Sequence, residues 1–262
     1  MNTLCLQSCR IFSRLTVPLK EEDIKAVRSA CSLRRADRYT ALAATAVLGR
    51  GGPPFPDSFP SDTGLVTVSA FGPHKTVFAT LDDILDYPED MILPVRFSHS
   101  VQNAAAAYLG SILKITGPAY AISGFDSPLF EALQLADTLL QAKLCPQVLL
   151  IGIEERGLLT AAAPKLAPER FSNEPEEIVC AMLLSLEQKP GGRILYLDRN
   201  SGKAPHPDTC TLGLTPEIIR QLADPRDWQA DIPIVIDQSS IIRGAGEMHG
   251  TYGTYGTHGT HE

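Results

Sequence analysis

The apolar and polar positions between Phe97 and Glu155 resolve into three blocks. Ala119-Tyr120-Ala121-Ile122 is a short apolar run bounded by Gly117-Pro118 and Gly124, and it predicts a buried strand. Ser127 supplies an N-cap side chain and Pro128 a favoured first helical position. Leu129, Ala132, Leu133, Ala136 and Leu140 recur at helical spacing and give one apolar face, which Pro146 closes. Val148 to Ile153 is almost wholly apolar, as a strand covered on both faces should be. Strand, crossover helix and strand predict a parallel pair with a right-handed connection.

Upstream, Leu4 to Phe12 reads as a first strand and Lys20 to Ala30 as a short helix. Ala36 to Leu48, rich in alanine and followed by Gly49, Gly51 and Gly52, predicts a longer one. Pro53, Pro54, Pro56 and Pro60 make a loop, and Leu65 to Ala70, alternating with Thr and Ser, a strand. Val77 to Leu85 is helical, with Asp82, Asp83 and Asp86 as a solvated acidic face. Val101 to Ile115 follows as a helix carrying Ala104 to Ala107. Thr160 to Asn173 is irregular. Ile178 to Leu186 and Arg193 to Leu197, separated by Lys189-Pro190-Gly191-Gly192, predict a hairpin. Asn200 to Pro207 reads as loop, Pro216 to Leu222 as a short helix and Ile232 to Ile236 as a last strand. From Gly244 to Glu262 the chain repeats Gly-Thr-Tyr and Gly-Thr-His and is expected to be disordered. The expected organisation is one α/β unit over residues 1–243 and a low-complexity tail over 244–262.

Composition narrows the function. With 262 residues, 44% hydrophobic and 20% charged, the chain has enough apolar material for a sizeable core. A net charge of −7 argues against nucleic acid and against an anionic membrane surface. An acidic protein partner would need a local basic patch, for which Arg34, Arg35 and Arg38 are the candidates. Cys5, Cys9, Cys31, Cys145, Cys180 and Cys210 are scattered and show neither a disulfide framework nor paired zinc spacing, so free thiols in a reducing compartment are expected. No run approaches the roughly 20 apolar residues of a membrane span, and the start lacks a signal-peptide pattern, so a cytoplasmic location is expected.

The residue between the first strand of the central unit and its helix meets the positive end of the helix dipole. That place suits a nucleophilic cysteine, because the dipole favours the thiolate. Here it holds Asp126. Cys145, at the far end of the helix, and Cys180, in an apolar strand, both read as structural. Ser127 with His99 as its base is an alternative nucleophile pair, set against a core role for His99.

The runs Phe97-Ser98-His99-Ser100-Val101-Gln102-Asn103-Ala104 and Thr116-Gly117-Pro118-Ala119-Tyr120-Ala121-Ile122-Ser123 resemble the N-terminal half of β-ketoacyl-acyl-carrier-protein synthases, as does Arg34 to Tyr39 ahead of its alanine-rich helix. The resemblance covers about residues 30 to 200. It implies an α/β, thiolase-like fold, the N-terminal ketosynthase half only, with a mixed sheet and covering helices. In that family a Thr-Ala-Cys-Ala-Ser elbow follows the strand; placed here without gaps it sets Phe125 before the nucleophile position and Asp126 on it. His249-Gly250-Thr251 and His258-Gly259-Thr260 resemble the family's catalytic histidine motif but sit in the repetitive tail, and the family's second half is not expected here. The resemblance therefore implies a chain-length-factor-like subunit without catalytic residues of its own, as in aryl polyene or polyketide pathways. Its implied partners are an active ketosynthase and, through the complex, an acyl carrier protein, with no cofactor and no metal. The implied interface and tunnel residues are Phe97, Asn103, Ala104, Ala106, Tyr108, Tyr120, Ile122 and Phe125. An autonomous acyl-transfer or hydrolytic enzyme using Ser127 and His99 is the alternative.

Overall fold

The computed structural model describes residues 2–11, 21–30, 36–49, 55–92, 94–124, 127–166, 168, 177–188, 192–198, 219, 222, 234–237 and 242–244. In chain order the elements are β1 (Asn2–Ile11), α1 (Glu21–Ala30), α2 (Arg38–Leu48), β2 (Gly64–Ser69), α3 (His74–Asp86), a 3-10 turn (Glu89–Met91), α4 (Pro94–Ser100) and α5 (Ala104–Leu113). They continue with β3 (Ala119–Ser123), α6 (Pro128–Gln141), β4 (Gln147–Glu154), α7 (Leu158–Leu166), β5 (Ile178–Ser185), β6 (Arg193–Asp198), β7 (Ile234–Asp237) and β8 (Ile242–Gly244). The strands form one mixed sheet in the order β3-β2-β4-β5-β1-β6-β7-β8.

Period-two alternation along the central strands explains the layers. On β4, Val148 and Leu150 point into one core, with Leu129, Leu133, Ala136 and Leu140 of α6. Leu149, Ile151 and Ile153 point into the other, with Leu42 and Ala46 of α2 and Leu109 of α5. Strand β5 does the same, Cys180 and Met182 on the α6 side and Val179 and Ala181 on the α2 side. A strand covered on both faces should be apolar along its middle, and these two are, with polar residues only at their ends, Gln147 and Glu154 on β4 and Ser185 on β5. Helix α2 is buried continuously from Tyr39 to Val47, and its alanines let α5 approach closely. Asp37 caps it, accepting a hydrogen bond from the Thr40 N–H at 2.9 Å.

Five expectations change. The β3 and β4 strands run parallel but are not neighbours, because β2 pairs with both and lies between them. Strand β3 is an edge strand with mostly exposed or half-exposed side chains, not a buried one. Strands β5 and β6 form no hairpin: β1 inserts antiparallel between them, so the turn-like sequence between the two runs joins strands that do not touch. Thr160 to Leu166, read as irregular, belongs to α7, which tolerates Pro164 near its end. The helix expected over Val101 to Ile115 is α5, which starts only at Ala104, and a separate helix that was not expected, α4, precedes it at Pro94–Ser100. The loop over Asn200 to Pro207 and the repetitive tail after Gly244, which itself ends β8, lie outside the described residues, as does most of Pro216 to Leu222, of which Ile219 and Leu222 are buried against the α6 side. Among the described residues no helix is long and apolar enough to cross a membrane.

Candidate functional site

In the order β3-β2-β4 the chain runs outward from β2 on both sides, so the topological switch point lies at the carboxyl ends of β2 and β4. Ligand crevices of open α/β sheets form at such a place. Here it is filled by the protein's own polar groups. Glu154, the last residue of β4, accepts hydrogen bonds from the Ala70 N–H at 2.7 Å, the Phe71 N–H at 3.2 Å and the Ser69 hydroxyl at 3.3 Å. Ser69 Oγ in turn accepts from the Gly72 N–H at 2.8 Å. Gly72 has φ +62, and a side chain there would run into Gln102, so the turn needs glycine. Burial raises the Glu154 carboxyl to about 8 against its donors, and burial raises Glu155 to about 7. Glu155 accepts from the Lys75 N–H at the start of α3, and His74 Nδ1 lies 3.7 Å from it. Burial pushes His74 down. Neither ring nitrogen of His74 has a hydrogen-bond partner, and Gly157 packs directly against the ring.

Sequence reading passed over Glu154, Glu155 and His74. The signal was present: two carboxylates ending an otherwise apolar, doubly covered strand must be held by donors, since isolated buried charge is costly. Arg38, a candidate for a basic patch, pairs inward with Glu177 at 2.6 Å and with Glu21 at 3.1 Å. Arg34 and Arg35 lie outside the described residues.

Phe125 and Asp126 also lie outside them. Immediately after, Ser127 adopts φ 50, ψ 43, in the left-handed region. It occupies the N-cap position of α6, yet its side chain makes no cap bond, contrary to the sequence expectation. Side-chain capping needs extended φ/ψ at that position, and the left-handed turn aims the hydroxyl elsewhere. The first helical bond still forms, Glu131 N–H to Ser127 O at 3.2 Å. Holding a non-glycine residue there costs roughly 1–2 kcal/mol, the kind of strain found at sharp strand-to-helix elbows.

The expected interface and tunnel residues divide by environment. Tyr120 on β3 is 45% exposed and Ile122 half-buried against the α6-side core. Phe97 on α4 is 62% exposed. Asn103 precedes α5, exposed and without a side-chain cap bond. Ala104 and Ala106 are buried, Ala106 within the core shared with α2, whereas Ala107 is exposed. Tyr108, half-buried, has its hydroxyl 3.1 Å from His99 Nε2, with the rings stacked at 4.9 Å. His99 is therefore engaged by Tyr108, and no hydrogen bond joins it to Ser127. Cys5, Cys145 and Cys180 are buried free thiols, all pushed up by burial, Cys180 to about 12. Among the described residues no group of three His, Cys, Asp or Glu side chains is placed to hold a metal ion.

A three-layered half-unit, with a mixed sheet, a strand-to-helix elbow beside its edge and helices on both faces, is the thiolase-like arrangement. Residues 60–209 match the family description "Beta-ketoacyl synthase, N-terminal domain", and the chain belongs to that family. No curated protein matches its sequence. Among solved structures it is similar to the ishigamide ketosynthase/chain length factor, at 18% identity and TM-score 0.53, covering 70% of this chain and 62% of that one. It is similar to the ketosynthase ApeO in complex with its chain length factor ApeC from Xenorhabdus doucetiae, at 18% identity and TM-score 0.50, covering 71% of this chain and 80% of that one. A third likeness is to AntDE:AntF, a type II polyketide synthase acyl-carrier protein in complex with its ketosynthase bound to the hexaketide. There the identity is 12% and the TM-score 0.53, covering 71% of this chain and 62% of that one. The chain thus spans less than two thirds of the length of the first and third of these structures.

Proposed function

We propose that this chain is a ketosynthase-like partner subunit of the chain-length-factor type, which pairs with an active ketosynthase and shapes its acyl tunnel. The observation that carries this reading is the open edge at β3. The register defines which groups face outward. Leu65 N–H donates to Pro118 O and Gly124 N–H to Ser69 O, so residues 118, 120, 122 and 124 turn their backbone groups toward β2. The N–H and C=O groups of Ala119, Ala121 and Ser123 therefore point away from the sheet. The strand carries no charge, no proline and no bulge, the usual devices that blunt an edge. The fold shared with ketosynthase and chain-length-factor pairs supports a second strand as the occupant, in an interface on the order of 2,000 Å² or more. Carrier protein reaches the pair through the active subunit.

The buried, raised thiols of Cys5, Cys145 and Cys180 favour a silent role, since none presents a thiolate. In this reading exposed Phe97 and half-buried Tyr108 bound the tunnel at the interface, while Ala106 faces this chain's own core. The folded unit is taken as residues 1–243 and the tail as dispensable for pairing. Co-expression with a full-length ketosynthase of the same organism, its cysteine intact, followed by light scattering, tests the reading. A stable heterodimer is expected for the wild type and for a chain lacking residues 247–262. Ala121→Pro, which removes an outward donor and spares the β2 ladder, should abolish it; Tyr120→Pro would instead damage the chain's own sheet. A monodisperse lone monomer, or a β-ketoacyl product from the isolated chain with acyl- and malonyl-carrier proteins, would overturn the proposal. Labelling of Ser127 by a fluorophosphonate would point to the alternative enzyme, which the His99–Tyr108 pairing does not favour.

A further inference from the structure

Eight of the thirteen exposed large apolar side chains among the described residues fall between residues 81 and 101. Leu81, Ile84 and Leu85 lie on the outer side of α3, Leu85 at 81% exposure, and Met91, Phe97 and Val101 follow through α4 to its end. Helices α3 and α4 pack side by side, clipped by Arg96 to Asp83 at 2.7 Å. Toward the protein body α3 buries His74 and Thr80 and half-buries Val77 and Phe78, so Leu81, Ile84 and Leu85 on its other side are not needed for this chain's own packing. The same segment is strongly acidic. Asp82, Asp86, Glu89 and Asp90 are exposed, and its one lysine or arginine, Arg96, is already paired with Asp83. An apolar surface with a single-sign rim selects by charge as well as by shape.

We infer that the outer face of the α3–α4 pair is a docking surface for the partner ketosynthase, taking an apolar patch of that subunit rimmed by lysine or arginine. Charge decides the occupant. A second copy of this chain would bring two acidic rims together, and an acidic carrier protein would meet like charge, so both are disfavoured. The surface continues from the proposed strand contact, because α4 packs on α5 and α5 on β3. It adds to that contact the means of telling a basic partner from another copy of the same chain. The inference rests on the pairing proposed above.

The test is titration of the full chain with the ketosynthase that co-purifies with it in the co-expression experiment, at about 50 and 300 mM salt, where screening of exposed charges differs strongly. Leu85→Asp is expected to weaken binding tenfold or more, as loss of an apolar anchor does. Asp82→Lys with Asp86→Lys should slow association several-fold at low salt and remove most of the salt dependence. Both sites are exposed, so the variants should keep the wild-type urea midpoint, and Leu144→Asp, on a distant exposed turn, should bind normally. If the wild type binds and Ala121→Pro abolishes binding, yet both α3 variants stay within twofold at either salt, the α3–α4 surface is not part of the interface and the inference fails. If the wild-type chain forms no complex, the pairing itself is wrong and this inference falls with it.

Discussion

The two flanks of β2 are built on opposite terms. On one side β4 and β5 are apolar at nearly every position and lie between two helical layers. On the other side β3 has no strand on its outer side among the described residues, and the segment from α3 to α4 turns leucine, methionine and phenylalanine toward solvent. The closed side is stabilised within the chain, and the open side is the one on which the proposed pairing rests. The open side is also where the elbow at Ser127 lies. Substitutions on the two sides should therefore register in different experiments, stability on the closed side and association on the open one.

The sharpest contrast is in truncation. Leu133 on α6 is fully buried, and Leu133→Ala should lower the free energy of unfolding by about 2–5 kcal/mol, counting lost transfer energy and the cavity left behind. Leu85→Ala on α3 should change it by less than about 0.5 kcal/mol. Urea unfolding of both variants checks the pair. Equal losses would mean that the α3–α4 face is covered within the folded chain and would undercut the docking surface.

Next in size is a test across one step of α5. Ala106 sits 3% exposed against α2, whereas Ala107 points out. Ala106→Phe should cost roughly 1–3 kcal/mol by overpacking, and any change of product length in the assembled pair would follow from a disturbed core. Ala107→Phe should leave unfolding unchanged. Phe97→Ala and Tyr108→Ala remain the variants expected to lengthen the product, read by mass spectrometry of the reconstituted pair.

Much of the closed side was legible from sequence because it obeys simple periods. The helical spacing of Leu129, Leu133, Ala136 and Leu140 and the unbroken apolar run of β4 each had one physical solution. The open side was less so. A four-residue apolar run such as Ala119 to Ile122 suits a buried strand and an edge awaiting a partner equally well, and only neighbour order decides. Neighbour order is also what misled the β5–β6 reading: turn residues report a change of direction, not which strand lies alongside, and β1 arrives from the far end of the chain. Of the candidate site, Tyr120 and Phe97 were suggested by family resemblance, and both are exposed. The Glu154–Glu155–His74 cluster escaped because its donors are backbone N–H groups at the ends of other elements, which no side-chain pattern announces.

That cluster gives a pH prediction. Glu154 and Glu155 are raised in the folded state above the ordinary carboxylate range, to about 8 and about 7. The stability they contribute is complete below about pH 4.5 and is lost as pH rises through 7 and 8. His74 is depressed, so its contribution is present above its ordinary value and is lost on acidification. Lys75, Asp37 and Arg38 lie near enough to tune Glu155 electrostatically, and Tyr39 carries the hydroxyl packed toward Ser69. Stability read by urea unfolding should fall between pH 5.5 and 8.5, by upward of about 1.4 kcal/mol, which corresponds to one carboxyl binding its proton tenfold more tightly in the folded chain. Glu154→Gln, which imitates the protonated acid, should flatten that slope. A midpoint that rises over this range in the wild type would reverse the assignment.

The smallest effect asks whether the contrast between the two flanks extends to the backbone. Lys114, which ends α5 on the α2 side of the sheet, and Lys143, just after α6 on the other side, both adopt φ 55. Lysine carries a β-carbon penalty of roughly 1–2 kcal/mol in that region, which glycine avoids. Glycine's freedom in the unfolded chain takes back about 0.4–1 kcal/mol of that gain. Lys114→Gly and Lys143→Gly should therefore each stabilise the chain by a few tenths of a kcal/mol up to about 1 kcal/mol, read from thermal or urea midpoints. Both lysines are exposed, so neither change removes a packed side chain. Equal gains would locate the difference between the flanks in side-chain burial alone. A gain at Lys143 with none at Lys114 would mean that the end of α5, which leads directly into β3, is held in place only when the edge is occupied.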